Sequence, residues 1–394
     1  MSIYFGTRRR ALRTAVATIG SSALLLLAAC SSSSSSSSSS ANNSTSSSGG
    51  GASTSATTGS NAIPQAQALL AQFAARPTQI PVTTPVGKPI PTGKTIDWVV
   101  CGSPDCTIWE PDMEAAAAVL GWHLKILDGG LTPQTVLAAW NLAVQNHPDG
   151  ILANAFPEIM FAKPLAQAKA EGIPVVDAFV DDPVGSGISA VVPAPEATYQ
   201  AQGQAWAADD LAKLGKTANT LVLSSTAYQA AVEAQKYFKQ YYSQMCPSCG
   251  YSAINVPPTA IGTTLPGNVV AYMHSHPGIN AIIAIQGNMT VGLPQTLNTA
   301  GLHADIFTAY PSATLLQYLA DGSIESIEMY EQNDTTWRMM DAMARILAGV
   351  SPAPDEVASK IWLITNAAEA ATVAPHYYQI PDFEAQYEKL WGKS

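Results

Sequence analysis

Between residues 95 and 365 the chain repeats one pattern: a short, almost wholly apolar run rich in β-branched residues, then a longer segment rich in Ala and Leu. Ten such runs stand out, at 95–100, 124–127, 150–154, 174–179, 188–192, 220–224, 279–285, 304–309, 326–331 and 360–365. Short apolar runs without strict alternation predict strands buried on both faces, with the intervening amphipathic segments as covering helices. Many of those segments close on a glycine able to take a left-handed C-cap, among them Gly121, Gly172, Gly215, Gly301, Gly322 and Gly349. The expected fold class is α/β, built from doubly wound parallel sheets. Ten strands overfill one small sheet and fit two of about five, so two domains are expected. The lack of any short-period repeat excludes a solenoid.

The first 94 residues break this pattern. Arg8, Arg9, Arg10 and Arg13 form a basic start, residues 15–29 an apolar stretch too short to span a bilayer comfortably, and small residues precede Cys30. That is an export leader. Leu27-Ala28-Ala29-Cys30 resembles the lipobox of bacterial lipoproteins, which implies that Cys30 is acylated and anchors the mature chain to the outer face of the cell membrane. An ordinary secreted protein cut at a small-residue site is the alternative. Residues 31–60 are almost entirely Ser, Thr, Gly, Ala and Asn, a composition that cannot bury enough apolar surface to order itself. As a flexible coil this tether reaches roughly 30 Å. Ile63, Ala66, Leu69, Leu70 and Phe73 follow a helical period, predicting a short amphipathic helix over 63–75 docked on the folded part, and residues 77–94 are proline-rich and extended.

Charge narrows the function. Removing the leader takes Lys+Arg from 19 to 15 against 29 acids, a net −14, which disfavours nucleic acid and anionic membranes as partners. Only Arg76, Arg338 and Arg345 survive processing. Besides Cys30 there are two close cysteine pairs, Cys101 with Cys106 and Cys246 with Cys249, read as disulfides in an exported protein. Cys101 ends the first strand, whereas Cys246 follows a helix and should lie at the opposite end of its domain. Local bridges are therefore expected, since a cross-pair would exceed the roughly 7 Å Cα limit. Cys246 and Cys249 with His274 and His276 have zinc-like ligand types, but oxidising surroundings favour S–S bonds. No resident metal or cofactor is expected.

In doubly wound folds, ligands bind beyond the carboxyl ends of the strands. Those ends carry residues 103–109, 154–156, 179–181, 224–228, 286–288 and 308–310. The stretches LGWHLKILDGG, GIPVVDAF, INAIIAIQGNMTVG and IEMYEQNDTTWRMMDAMARILAG, with the leader, resemble the type I periplasmic sugar-binding proteins, the ribose-binding-like receptors of ABC importers. The resemblance spans about residues 95–365 and implies a type I periplasmic-binding-protein fold with a three-segment hinge. It places Asn154, Gln286 and either Gln332 or Tyr330 at ligand-binding positions. The family's Asp-Arg pair falls instead on Phe179-Val180, with Asp177 and Asp181 nearby, and its helix arginine and later aspartate are missing. The pocket has thus lost its bidentate charged forks. Trp109, Phe156, Phe179, Tyr228 and Tyr310 remain, rings that stack on apolar faces of sugars while amides such as Gln286 and Asn288 fix orientation. Core packing is the ordinary alternative for each ring taken singly.

The candidate ligand set is Trp109, Asn154, Phe156, Phe179, Asp181, Tyr228, Gln286, Asn288, Tyr310 and Gln332. No catalytic residue is expected: residues 87–95 mimic a Walker A loop but precede a strand, and no nucleophile elbow, His-Glu-x-x-His or dinucleotide fingerprint occurs. Asp105, Glu110 and Asp112 are explained as acids at a helix N-terminus. The expected division is a leader 1–29, a tether 30–61, an extension 62–94, a first lobe of 95–193 plus 333–364, and a second of 194–332 plus 365–394. The expected function is a monomeric solute-binding lipoprotein that presents a neutral sugar or polyol to an ABC permease. A sensory receptor of the same fold and, from another class, a secreted hydrolase are the alternatives.

Overall fold

The computed structural model describes residues 63–393; the leader, Cys30 and the serine tether lie outside them. The chain folds into two parallel-sheet lobes. The first sheet is ordered β2-β1-β3-β4-β5, with β1 Thr95–Val100, β2 His123–Asp128, β3 Gly150–Asn154, β4 Val175–Ala178 and β5 Ala190–Val192. The second is ordered β11-β10-β9-β8-β6-β7, with β6 Asn219–Ser224, β7 Gly250–Asn255, β8 Ala281–Ala284, β9 Asp305–Ala309, β10 Ser326–Met329 and β11 Trp362–Ile364. Every pairing is parallel except β10 with β11. Central strands β3, β4 and β8 are buried at every position, which is why they read as continuous apolar runs. Edge strand β7 is only partly buried along its length, and its mixed sequence GYSAIN hid it from the pattern; the second sheet therefore has six strands.

Helices cover both faces. Gly121 and Gly172 end the helices Glu110–Leu120 and Ala162–Glu171 in the left-handed conformation that their C-caps require. The helices Pro195–Leu214 and Gln229–Met245 pack closely because Gly203 offers no Cβ: one added there would lie 2.5 Å from the Phe238 nitrogen. The N-terminal helix Pro64–Leu70, shorter than expected, docks on Pro195–Leu214 with Ala66 fully buried. Each cysteine pair forms its local disulfide, with Cα separations of 5.7 Å for Cys101–Cys106 and 5.4 Å for Cys246–Cys249. Both thiols of the zinc-like set are thereby consumed. Among the described residues no helix is long and apolar enough to cross a membrane.

The chain passes from the first lobe after β5 into the Pro195 helix, and returns after β10 into the helix Asn333–Leu347, which packs on β4 and on Glu110–Leu120. The third passage corrects the expected boundary between 364 and 365. Strand β11 already belongs to the second sheet, so the passage lies between Asp355 and Trp362. A further passage follows. The helix Ala367–Val373 packs in the second lobe, but the helix Phe383–Leu390 packs against Asn333–Leu347 in the first, so residues 365–394 do not all belong to the second lobe. The reason is apolar: Trp391 stacks flat on Trp337 at 5.1 Å, with Phe383 and Tyr387 beside them.

Buried ions fix these passages. Arg338 pairs with Glu331 at 2.9 Å and donates to the Asp355 and Val357 carbonyls, while Arg345 pairs with Asp341 at 2.8 Å and Asp355 at 2.9 Å. All five side chains are essentially inaccessible. Burial, reinforced by Asp341, drives the Asp355 carboxyl well above its usual range. On the outside, Arg76 donates to the carbonyls of Gln379, Tyr378 and Thr372 and lies 5.3 Å over the Trp362 ring. The segment after the first helix is thus fastened to the last passage.

Candidate functional site

Strands β3, β4 and β9 each end on a non-glycine residue in the left-handed region: Ala155 at φ 72°, Phe179 at 59° and Tyr310 at 59°. Such backbones are uncommon and persist where the surroundings hold them. Here Ala155 N–H donates to the Ala178 carbonyl and Tyr310 N–H to that of Glu328, both at 2.9 Å. All three residues line one cavity of about 70 Å³ between the lobes. The first lobe contributes Cys101, Ser103, Cys106, Trp109, Ala155 and Phe179. Tyr228, Ala230, Ala231, Ile285, Gln286 and Tyr310 face them from the second, and Tyr330 and Gln332 come from the passage after β10.

The rings form a continuous path across the cavity. Trp109 lies 5.0 Å from Phe179, Phe179 meets Tyr330 edge-on at 6.0 Å, and Tyr330 sits 5.5 Å from Tyr310. Two polar atoms in this apolar wall are buried without a hydrogen-bond partner: the Trp109 Nε1 donor in the first lobe and the Gln286 Oε1 acceptor in the second. Leaving such groups unpaired costs about 1–3 kcal/mol each. A ligand with an acceptor toward Trp109 and a donor toward Gln286 relieves both. No Asp, Glu, Lys or Arg lines the cavity.

Six residues of the sequence-derived set meet here: Trp109, Phe179, Tyr228, Gln286, Tyr310 and Gln332. Four do not. Asn154 is buried within the first lobe, where its Oδ1 accepts from Trp98 Nε1 at 3.0 Å and its amide donates to Cys106 Sγ at 3.6 Å. It supports the disulfide instead of facing the cavity. Phe156 packs against Gly129, where an added Cβ would come within 3.0 Å of its ring. Asp181 is exposed and turns toward the Gln229–Met245 helix; burial first, then Glu233, raises its carboxyl above the ordinary range. Asn288 lines a neighbouring cavity. Conversely, the Cys101–Cys106 disulfide, Ser103, Ala155, the two alanines after Tyr228 and Ile285 line the site but were not in the set. Apart from the two alanines, which lie on the helix Gln229–Met245, their positions just beyond strand ends were the available signal, masked by side chains too small or too apolar to mark.

The neighbouring cavity, about 470 Å³, shares Tyr310 and Gln332 with the first. Ile108, Pro111 and Asp112 line it from the first lobe, Asn288 and Val291 from the second, and residues 375–378 from the last passage. Asp112 accepts from Tyr378 Oη at 2.7 Å and Asn333 Nδ2 at 2.8 Å. A larger trough of about 620 Å³ lies at the amino ends of β8 and β9, away from the side where such sheets bind ligands.

Two α/β lobes, linked by several passages and facing each other across a neutral aromatic cavity at their strand ends, define a hinged binding protein. Residues 99–351 match the family model described as periplasmic binding protein domain, and the chain belongs to that family. Among solved structures, an ABC transporter solute binding protein from Agrobacterium vitis with bound allitol is similar at a TM-score of 0.62 and 18% identity, covering 72% of this chain and 98% of that one. A carbohydrate transporter from Acidothermus cellulolyticus in complex with myo-inositol gives the same score, identity and coverage. A 5-methylthioribose transporter solute binding protein from Thermotoga lettingae scores 0.61 at 14% identity, covering 78% of this chain and all of that one. A search of curated protein sequences gave no significant match.

Proposed function

We propose that this protein is an exported solute-binding receptor that closes its lobes over a neutral, hydroxyl-bearing small molecule, a sugar or polyol, and presents it to an ABC importer without making or breaking bonds. The observation that carries the reading is a pair of polar atoms buried without partners, Trp109 Nε1 and Gln286 Oε1, on residues that line one uncharged cavity from opposite lobes. A ligand touching both stabilises the closed arrangement by its differential contacts. The sugars and polyols named with the similar structures support this ligand class. The receptor is a lipoprotein held at the outer face of the membrane through Cys30, and Cys30→Ala releases it from the membrane fraction; a variant that stays with membranes after a high-salt wash refutes the anchor. For the binding function, a thermal-shift screen of pentoses, hexoses and polyols is decisive. A true ligand at 100 times its Kd adds about 2.7 kcal/mol of stability.

A further inference from the structure

The two cavities that meet at Tyr310 and Gln332 differ in size by a factor that a single small solute does not use. The inner one, about 70 Å³, is well below the roughly 300–1,000 Å³ of ordinary small-molecule sites, whereas the outer one, about 470 Å³, falls inside that range. Resting on the receptor reading above, we propose that the outer cavity is a second subsite and that the ligand is a glycoside: one ring in the inner cavity, its second ring, sugar or aryl, in the outer.

The chemistry of the outer walls fits a neutral ring. Tyr377 and Tyr378 line it, with His376 stacked on Tyr378 at a centroid distance of 5.3 Å, and these planar groups suit the apolar face of a sugar or an aryl group. Gln332 stands at the junction, where a linking oxygen or a flanking hydroxyl would pass. The one carboxylate in the lining, Asp112, already accepts from Tyr378 and Asn333, so it offers little to a cation. Residues 375–378 lie beyond the matched family domain, which ends at 351. The subsite is therefore built in part by a segment outside the matched range.

The test pairs monosaccharides and polyols with the disaccharides and aryl glycosides built on them, by isothermal titration against the wild type, Val291→Trp and His376→Ala. Val291 is 40% exposed and lines the outer cavity only, so a Trp there fills the second subsite without touching the first. The expected result is that a two-ring member binds the wild type at least tenfold more tightly than its single-ring component. Val291→Trp should remove that gain while leaving the single-ring Kd unchanged, and His376→Ala should reduce it. A monosaccharide that binds as tightly as every glycoside overturns the inference but leaves the receptor reading intact. Equal weakening of both ligand sizes by Val291→Trp does the same. Silence from the whole panel overturns the receptor reading and the inference with it.

Discussion

The cleft and the passages between lobes adjoin, yet they treat charge in opposite ways. Along three consecutive residues, Tyr330 and Gln332 line the inner cavity while Glu331 between them turns away to pair with buried Arg338. All three arginines among the described residues serve the passages: Arg76 on the outside, Arg338 and Arg345 within. The inner cavity holds aromatic rings and amides and no Asp, Glu, Lys or Arg. Ion pairs in the passages fix where the lobes join, and the ligand site stays neutral. The missing guanidinium forks of the sugar-binding pattern are the same fact viewed from the pocket.

The largest effect should come from unpairing the passages. Arg338→Met leaves Glu331 buried without a counter-charge and should cost about 3–5 kcal/mol, read by denaturant unfolding; adding Glu331→Gln should recover a good part of it. An Arg338→Met variant of unchanged stability would remove the ion network from the account. Next is Glu328 on β10, fully buried against Gln202, whose carboxyl burial pushes from 4.5 to about 8. Its folded pKa is raised, so the fold binds this proton more tightly than the unfolded chain does. Its contribution is full below pH 4.5 and is lost as pH rises toward 8. Glu328→Gln should match the wild type near pH 4 and exceed it by about 4 kcal/mol at pH 8. Parallel stability curves for the two proteins between those limits would contradict this.

The two disulfides sharpen the contrast further. Each closes a short loop and should contribute about 2 kcal/mol of stability by the chain-entropy relation. Cys101 and Cys106 line the cavity and Cys246 and Cys249 do not. Replacing either pair with alanine should lower the melting temperature similarly, but only Cys101→Ala with Cys106→Ala should weaken ligand binding; equal affinities would mean that the first staple is structural alone. The smallest effects concern single polar atoms. Trp109→Phe, which keeps a ring and loses the Nε1 donor, and Gln286→Ala should each weaken binding by roughly 1–2 kcal/mol in titrations with the ligand. Truncating Trp109 to alanine is a poorer test, because a side chain only 5% exposed and packed on Phe179 also supports the fold.

The strands and the two-lobed plan were legible because central strands of a parallel sheet bury both faces and cannot vary. Edge strand β7 escaped, since one neighbour and a half-wet face leave Gly250–Asn255 free of that constraint. At the candidate site, six of the ten residues picked from the strand ends line the inner cavity, most of them rings. Asn154 and Phe156 show the limit. They flank Ala155, whose left-handed backbone brings it to the cavity wall while Asn154 turns to Trp98 and Phe156 packs against Gly129. Side-chain direction at a kinked strand end is set by that dihedral, and alanine gives no warning of it. The last passage was invisible for another reason. The helix Phe383–Leu390 has an apolar face that suits either lobe, and only the Trp337–Trp391 stack decides which.

That arrangement of the chain's ends also determines how force would travel through the molecule. A pull applied at Ile63 enters the second lobe first, through the Pro64–Leu70 helix seated on Pro195–Leu214. It reaches the first lobe from Thr78 onward, where Gln386 donates to the Thr78 carbonyl and accepts from the Ile80 N–H, with Arg76 clamped to residues 372–379 on the way. The stretch up to Val86 is held at Thr78, Ile80 and Thr84 and so has little slack of its own. Pro77, Pro81 and Pro85 stiffen it further. A protein held from this end is gripped by both lobes, so load applied there is shared between them instead of drawing one lobe away from the other.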